Sequence, residues 1–135
     1  MDTKSKIILI SGPTASGKSD LAVKIAKKIN GEIINADSMQ VYKQLKILTA
    51  RPDKKSKKNI KHHLYGIIDI DKNFSTGQWI KLVLKKINEI SNRKRIPILV
   101  GGTGLYFQSL ISGLVKIPEI PNKIRKKIRL LQKKI

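Results

Sequence analysis

The stretch Ile7-Ile8-Leu9-Ile10-Ser11, followed by Gly12-Pro13-Thr14-Ala15-Ser16-Gly17-Lys18-Ser19, decides the fold of this chain. Its second part matches G-x-x-x-x-G-K-[ST], the pattern of a loop that holds phosphate groups between a strand and a helix. The apolar run before the loop predicts the strand, and a helical pattern begins at Lys18. This context favours a phosphate-binding loop over an ordinary glycine-rich turn, and it leaves open which di- or triphosphate is bound.

Each residue type in the loop suits this task. Gly12 and Gly17 permit a tight turn whose backbone N–H groups point inward, and the helix that follows adds the positive end of its dipole. Lys18 supplies a mobile cation for outer phosphate oxygens, and the Ser19 hydroxyl is a suitable ligand for Mg²⁺. We therefore expect residues 12–19 to contact phosphate, with Mg²⁺ as the cofactor.

Composition and charge narrow the class of protein. The chain has 135 residues, 40% of them hydrophobic, which is enough for one folded domain with a core. Its 29 Lys and Arg against 9 Asp and Glu give a net charge of +20. This charge predicts a polyanionic partner, with nucleic acid as the leading candidate. The alternative is that AT-rich coding enriches Lys, Ile and Asn without selection for binding.

Several classes are excluded by what the sequence lacks. There is no cysteine, so neither a disulfide framework nor thiolate chemistry is available. No apolar stretch approaches the length of a membrane span, and residues 1–6 lead straight into the first strand without the apolar segment of a signal peptide. We expect a cytoplasmic monomer without membrane contact.

The order of apolar patterns predicts an α/β fold with a parallel sheet and helices on both of its faces. Strands are predicted at residues 7–10, 32–36, 64–70 and 96–100. Helical segments are predicted from Lys18, over residues 41–45, from the capping box Ser75-Thr76-Gly77-Gln78, over residues 105–112 and from Asn122.

Polar residues follow three of these strands and are expected to meet in one cleft, because ligands of such sheets bind beyond the carboxyl ends of the strands. Besides the phosphate-binding loop they are Asp37 and the segment Gly101-Gly102-Thr103-Gly104. Asp37 is a candidate general base or water-mediated Mg²⁺ ligand, or simply a cap for the turn from Met39. Thr103 offers a hydroxyl close to a ligand, or caps the next helix.

Five other residues have both a possible functional role and an ordinary structural explanation. Gln40 is able to hydrogen-bond an adenine edge, but such a residue is more often just a surface residue. Trp79 and Tyr106 are able to stack on bases, but Trp79 falls on an apolar helical stripe and is assigned to the core. His62 and His63 are adjacent on a strand and point to opposite faces, so we do not expect a zinc site.

Five blocks of this sequence, taken in order, resemble the tRNA dimethylallyltransferase family, also called tRNA isopentenyltransferases. Besides residues 12–19 they are Ala36-Asp37-Ser38-Met39-Gln40-Val41-Tyr42, Thr49-Ala50-Arg51-Pro52, His62-His63-Leu64 and Val100-Gly101-Gly102-Thr103-Gly104-Leu105-Tyr106. The resemblance extends through nearly the whole chain. The phosphate-binding loop alone is generic, whereas the second and fifth blocks are highly specific.

The resemblance implies a P-loop NTPase-like fold and a defined reaction. The family transfers a dimethylallyl group from dimethylallyl diphosphate to N6 of the adenine 3′ to the anticodon, in tRNAs that read codons beginning with U. Pyrophosphate leaves and Mg²⁺ assists.

The matching positions then acquire roles. Asp37 is the catalytic base, Lys18 and Thr14 act on the diphosphate, and Ser19 binds Mg²⁺. The residues that the resemblance places against the tRNA anticodon stem-loop are Asp37, Ser38, Met39, Gln40, Thr103 and Arg125.

The resemblance also predicts the domain organisation. Family members are considerably longer and carry a helical insertion that grips the tRNA. We expect residues 1–115 to form an incomplete P-loop α/β catalytic core, and residues 116–135, with the C-terminal helix, to begin that insertion. Whether so short a chain is active by itself stays open.

Two rival functions remain at this point. A small-molecule or nucleotide kinase would use the same loop with ATP, but it usually adds a mobile lid with arginines, and this chain has few arginines and many lysines. An inactive, truncated remnant would still bind tRNA through its basic surface and modify nothing.

Overall fold

The computed structural model describes residues 6–13, 16–45, 59–102 and 104–115, with the backbone alone at residues 45 and 113–115. The predicted helix from Asn122 lies outside these residues, as do four predicted contact positions, Thr14, Ala15, Thr103 and Arg125. In chain order the elements are β1 (Ile8–Ser11), α1 (Lys18–Ile29), β2 (Gly31–Asn35), a 3₁₀ turn (Lys43–Leu45), β3 (His62–His63), α2 (Thr76–Asn92), β4 (Ile96–Gly101) and α3 (Gly104–Val115).

The strands form one parallel sheet in the order β1-β4-β2-β3. β4 pairs with β1 on one side and with β2 on the other, and β2 also pairs with β3. β4 is a continuous apolar run and is buried along almost its whole length, as expected of an inner strand covered on both faces. The predicted α/β fold with a parallel sheet is confirmed.

Helices cover both faces of this sheet, and the alternation of side chains along each strand decides which face a residue joins. Ile33 and Ile98 pack on the α1 face, together with Val100 and the buried α1 residues Ala22, Val23 and Ala26. Ile34 and Leu99 pack on the opposite face, where α2 and α3 contribute Trp79, Val83, Ile87, Ile90, Tyr106, Phe107 and Leu110. The predicted placement of Trp79 in the core is confirmed.

Local sequence signals fix the ends of the helices. At the start of α2 the Ser75 hydroxyl accepts a hydrogen bond from the Gln78 backbone N–H at 3.1 Å, and the Gln78 side chain accepts one from the Ser75 N–H at 2.8 Å. This is the predicted capping box. α1 ends at Asn30, whose left-handed backbone and N–H bond to the Ala26 carbonyl close the last turn. None of the helices in the described ranges combines the length and apolar character that crossing a membrane requires.

The predicted strand at residues 64–70 is wrong. Pairing with β2 covers only His62 and His63, after which Leu64 and Gly66 adopt left-handed backbone with φ of 65° and 59°. Two left-handed residues break an extended strand, because a strand requires negative φ throughout. Residues beyond this break return to a parallel arrangement only at an isolated bridge between Tyr42 and Ile68.

Glu32 is a fully buried carboxylate that ties three elements together. Its oxygens accept hydrogen bonds from Arg93 Nη2 at 2.7 Å and Nε at 3.1 Å, at the end of α2. His63 Nε2 of β3 lies 2.7 Å from Oε1, and Arg95 Nε lies 3.8 Å from Oε2. Burial alone would raise the pKa of Glu32, but the hydrogen bonds from Arg93 and His63 outweigh it and hold the pKa below its usual 4.5.

We expect Glu32→Gln to lower the free energy of unfolding at pH 7 by about 2 to 3 kcal/mol, because it removes the buried carboxylate of an ion pair whose arginines are partly exposed and are still reached by water. Because the pKa of Glu32 is lower in the folded state than in the unfolded state, its ionised carboxylate stabilises the fold at pH values above the unfolded-state pKa. This stabilisation is lost as the pH falls through the folded-state pKa. Urea unfolding from pH 7 to pH 3 should therefore show wild type losing more stability than the variant. Glu89→Gln, which removes a partly exposed pair with Lys86, is the control and should change stability by less than about 0.5 kcal/mol. Equal losses for both variants would contradict this account.

Candidate functional site

The loop between β1 and α1 has the conformation expected of a phosphate-binding loop in its described residues. The N–H of Gly12 donates to the Gly101 carbonyl at 3.3 Å, which joins the end of β1 to the end of β4. Gly17, directly before α1, has φ of 83°, a left-handed conformation that favours glycine. A side chain on Gly12 would meet the Ser16 hydroxyl at 3.1 Å, so the loop closes tightly over this glycine.

Lys18 and Ser19 occupy the first turn of α1. The Lys18 ammonium group folds back over the loop and donates to the Pro13 carbonyl at 3.0 Å. It thus lies beside the backbone that would surround a phosphate, where its remaining N–H donors are available to phosphate oxygens. Ser19 is half-buried beside it.

Three strand ends meet at one edge of the sheet, as the topology predicts. A Cβ atom on Gly101 would lie 2.1 Å from the carbonyl oxygen of Ala36, and one on Gly102 would lie 3.0 Å from the carbonyl oxygen of Gly12. The Ala36 N–H donates to the Val100 carbonyl at 2.8 Å. The phosphate-binding loop, the glycine segment after β4 and the exit from β2 at Asp37 therefore form one continuous backbone surface.

The Asp37 carboxylate is half-buried at this edge and partly engaged. Its Oδ1 accepts a hydrogen bond from the Met39 N–H at 2.8 Å, so the capping interpretation of Asp37 is confirmed. Capping uses one carboxylate oxygen. Among the described residues Oδ2 has no hydrogen-bond partner, which leaves this oxygen able to accept a proton from a ligand.

Asn35, the last residue of β2, is a site residue that was not predicted from the sequence. It is fully buried, its Oδ1 accepts from the Asp37 N–H at 2.9 Å, and its Nδ2 donates to the carbonyl oxygens of Asp37 at 3.0 Å and Leu64 at 3.1 Å. Its own backbone carbonyl accepts from Trp79 Nε1 at 2.9 Å. An amide at the end of an otherwise buried strand was the available signal, because buried polar side chains are uncommon and need partners.

The residues that follow Asp37 differ in exposure. Met39 is 50% exposed at the edge of the site, whereas Gln40 is only 7% exposed. The Gln40 carbonyl accepts from the Gly66 N–H at 2.9 Å, and the Val41 carbonyl accepts from the Ile67 N–H at 2.7 Å, which fixes this segment against the loop after β3. The interpretation of Gln40 as an ordinary surface residue is therefore wrong.

Trp79 and Tyr106, the two residues considered for stacking on bases, do not present their rings to solvent. Trp79 and Tyr106 stack on each other, with ring centroids 4.3 Å apart and an interplanar angle of 19°, and both are buried. Burial, followed by the charges of Tyr42 and Asp37, raises the pKa of Tyr106 to about 12. Burial and the Asp37 charge raise the pKa of Tyr65 well above its usual range. Both phenols stay neutral at physiological pH, so neither is available as a base.

The parallel sheet, the loop of pattern G-x-x-x-x-G-K-S at the carboxyl end of β1 and the helix that starts from it define a P-loop-like α/β protein. The model of the IPP transferase family matches residues 40–135, and the chain belongs to this family.

Relatives of this chain carry consistent names. It is 75% identical over 134 residues to the tRNA dimethylallyltransferase of Pelagibacter ubique (strain HTCC1062), a match that covers 99% of this chain and 43% of the relative. It is 50% identical over 124 residues to the tRNA dimethylallyltransferase of Parvibaculum lavamentivorans, covering 92% and 40%. The chain thus spans less than half the length of these relatives.

Solved structures of proteins with related names are similar to this chain. A tRNA delta(2)-isopentenylpyrophosphate transferase from Staphylococcus epidermidis matches with a TM-score of 0.77 and 41% identity, covering 97% of this chain and 42% of the other. A eukaryotic dimethylallyltransferase described as acting on tRNA matches with a TM-score of 0.77 and 39% identity, covering 79% and 27%.

We expect Gly101→Ala to lower the free energy of unfolding by about 3 kcal/mol or more, because the new methyl group overlaps the Ala36 backbone and cannot move away. Gly77→Ala in α2 is a matched control, since the nearest atom to its added methyl group lies at 3.8 Å. It should be neutral or stabilise by about 0.5 to 1 kcal/mol. Thermal unfolding followed by circular dichroism compares the two. A Gly101 variant as stable as wild type would show that β2 and β4 do not approach so closely.

Proposed function

We propose that this chain provides the catalytic core of a tRNA dimethylallyltransferase. In the proposed reaction a dimethylallyl group passes from dimethylallyl diphosphate to N6 of the adenine 3′ to the anticodon, in tRNAs that read codons beginning with U. The observation that carries the proposal is the placement of the phosphate-binding loop and the Asp37 carboxylate at one edge of the sheet. The names of the relatives support it.

Strand order supports a substrate that extends from the phosphate-binding loop to the Asp37 carboxylate. β4 lies between β1, which leads into the loop, and β2, which leads to Asp37. With neighbouring parallel strands about 4.8 Å apart, the loop and Asp37 are separated by roughly 10 Å. A diphosphate held by residues 12–19 would therefore extend its five-carbon chain across the end of β4 toward the carboxylate.

The proposed transfer requires a base beside the adenine amine and stabilisation of the departing pyrophosphate at the loop. The exocyclic amine of adenine is a weak nucleophile, and Asp37 Oδ2 accepts the proton that N6 loses as the new N–C bond forms. The C–O bond to the diphosphate breaks, and pyrophosphate leaves with the bonding electrons. The loop N–H groups and the Lys18 ammonium stabilise the negative charge that grows there. A contact from Thr14 in the same place stays a prediction.

The residues at the loop suit Mg²⁺. This ion prefers oxygen ligands, keeps several waters and often shares substrate phosphates, and the Ser19 hydroxyl beside the loop fits as one ligand. Within the described ranges no group of three or more His, Cys, Asp and Glu residues is able to hold a metal alone. Ser19 would therefore act together with diphosphate oxygens. When bound, the ion would neutralise charge on the leaving pyrophosphate.

We propose tRNA recognition from the net charge of the chain and from the solvent exposure of Met39. The net charge of +20 suits the phosphate backbone of an anticodon stem-loop. The target adenine must leave its stack to reach Asp37, and the exposed Met39 side chain beside it provides an apolar contact for the flipped base. Contacts from Ser38, Gln40, Thr103 and Arg125, like a monomeric state and a cytoplasmic location, stay predictions.

The direct test is product formation. The purified chain is incubated with Mg²⁺, dimethylallyl diphosphate and an anticodon stem-loop, and digested RNA is searched for N6-isopentenyladenosine by mass spectrometry. We expect product, and a kcat lowered by about 10² to 10⁴ in Asp37→Asn, because the base is lost. Asp71→Asn, an exposed aspartate in the loop before α2, is the matched control and should keep full activity. RNA binding without any product would instead identify a binding remnant.

Lys18 provides an independent prediction. We expect Lys18→Ala to lower kcat/KM for dimethylallyl diphosphate by about 10² to 10³, because one preorganised donor to the leaving pyrophosphate is removed. The affinity for the stem-loop, measured by fluorescence anisotropy, should change by less than about threefold, since one phosphate contact at most is lost. Lys24→Ala, on an exposed position of α1, is the control. An equal effect of both variants on kcat/KM would contradict a specific role for Lys18.

A further inference from the structure

The backbone of Asp37 is held by a single buried side chain. The Asn35 amide binds both the N–H and the C=O of Asp37, at 2.9 Å and 3.0 Å, while the Met39 N–H holds Oδ1 at 2.8 Å. The two peptide groups that flank the Asp37 Cα and one carboxylate oxygen are therefore fixed. These contacts leave little freedom for the direction of Oδ2.

The Asn35 amide uses both of its N–H donors and its oxygen in these contacts. Its two N–H donors go to the carbonyl oxygens of Asp37 and Leu64, and its oxygen accepts from the Asp37 N–H. No other side chain of this size and shape offers two donors and an acceptor in this geometry. A carboxylate would set an oxygen against the carbonyl oxygens of Asp37 and Leu64 with no hydrogen between them.

The second partner of Asn35 is a strained residue. Leu64 has φ of 65°, in the left-handed region that a leucine rarely occupies, and it is buried. Such conformations persist only where surrounding contacts impose them, and they concentrate at functional sites. The bond from Asn35 Nδ2 to the Leu64 carbonyl is one of those contacts. It ties the loop after β3 to the same amide that holds Asp37.

Asn35 is itself held from a helix that is distant in sequence. Trp79 of α2 is fully buried, and its indole N–H donates to the Asn35 carbonyl at 2.9 Å. Stacking against Tyr106 of α3 fixes the plane of the indole. The position of Asp37 thus depends on a chain of contacts that runs from α3 through Trp79 and Asn35.

We propose that Asn35 is a positioning residue for the Asp37 carboxylate, and that Trp79 holds Asn35 in place. This inference rests on the proposed role of Asp37 as the base. A displacement of about 1 Å in a reacting group costs about 100-fold in rate. Loss of the Asn35 amide should therefore lower kcat and leave the binding of RNA intact.

The test compares three variants of the full chain. Asn35→Asp keeps the shape and removes both donors, and Trp79→Phe keeps the aromatic packing and removes only the indole N–H. Glu32→Gln is the matched control, because Glu32 lies in the same strand and is equally buried but does not contact Asp37. All measurements are made at a temperature where circular dichroism shows each variant folded.

Two readouts are needed. The first is the rate of amide hydrogen exchange over residues 37–42, measured by mass spectrometry relative to that of β4. It should rise about tenfold in Asn35→Asp and less in Trp79→Phe, because the segment opens locally more often when the Asn35 contacts are lost. In the transfer assay kcat should fall about 100-fold in Asn35→Asp, with the stem-loop Kd unchanged within about threefold. Glu32→Gln should leave both the exchange of this segment and kcat within about twofold of wild type.

The possible outcomes separate the two proposals. Unchanged exchange and kcat in a folded Asn35→Asp variant would overturn the positioning role, as would equal losses in Asn35→Asp and Glu32→Gln. If Asn35→Asp does not fold, Trp79→Phe decides, and unchanged exchange in that variant overturns the role. If wild type forms no product the proposed function fails, while exchange still determines whether Asn35 holds Asp37.

Discussion

The contact between the end of β4 and the exit of β2 is the constraint on which the site depends. Gly101 and Ala36 approach so closely that even a methyl group on the glycine would overlap the Ala36 carbonyl. The same glycine accepts a hydrogen bond from Gly12, so three strand ends are joined through one residue without a side chain. The loop after β1 and the Asp37 carboxylate are thereby separated by a fixed distance, which is set by strand spacing rather than by the choice of side chains.

β2 organises both ends of the molecule with one buried polar side chain at each. Near its start Glu32 binds Arg93 and His63 and anchors the end of α2 and β3. At its end Asn35 binds Asp37 and Leu64 and receives the indole of Trp79. Between them Ile33 and Ile34 join the two opposite cores. The strand therefore links the Glu32 ion pair at one edge of the sheet with the segment that carries Asp37 at the other.

The sequence predicted those features that depend on local pattern. The strand before the loop, the Ser75 cap and the buried stripe of Trp79 follow from periodicity and backbone chemistry, and the structure confirms them. Two features depend on contacts between distant residues and were missed. Residues 64–70 resemble a strand in composition, but left-handed Leu64 is imposed by tertiary bonds. The role of Asn35 depends on an indole 44 positions away, which no local pattern indicates.

Strand order also determines when this site is able to assemble during synthesis. β1 is made first, but its partner in the sheet is β4, and the described strands offer it no earlier neighbour. Ribosomes add roughly 5 to 20 residues per second, so the apolar run of β1 waits on the order of 5 to 20 seconds before Gly101 has been made. During that time the loop has no sheet edge on which to form, and Ile8 and Ile10 stay accessible to chaperones. The nascent chain thus acquires the contact between Gly12 and Gly101 only when its fourth strand has been made.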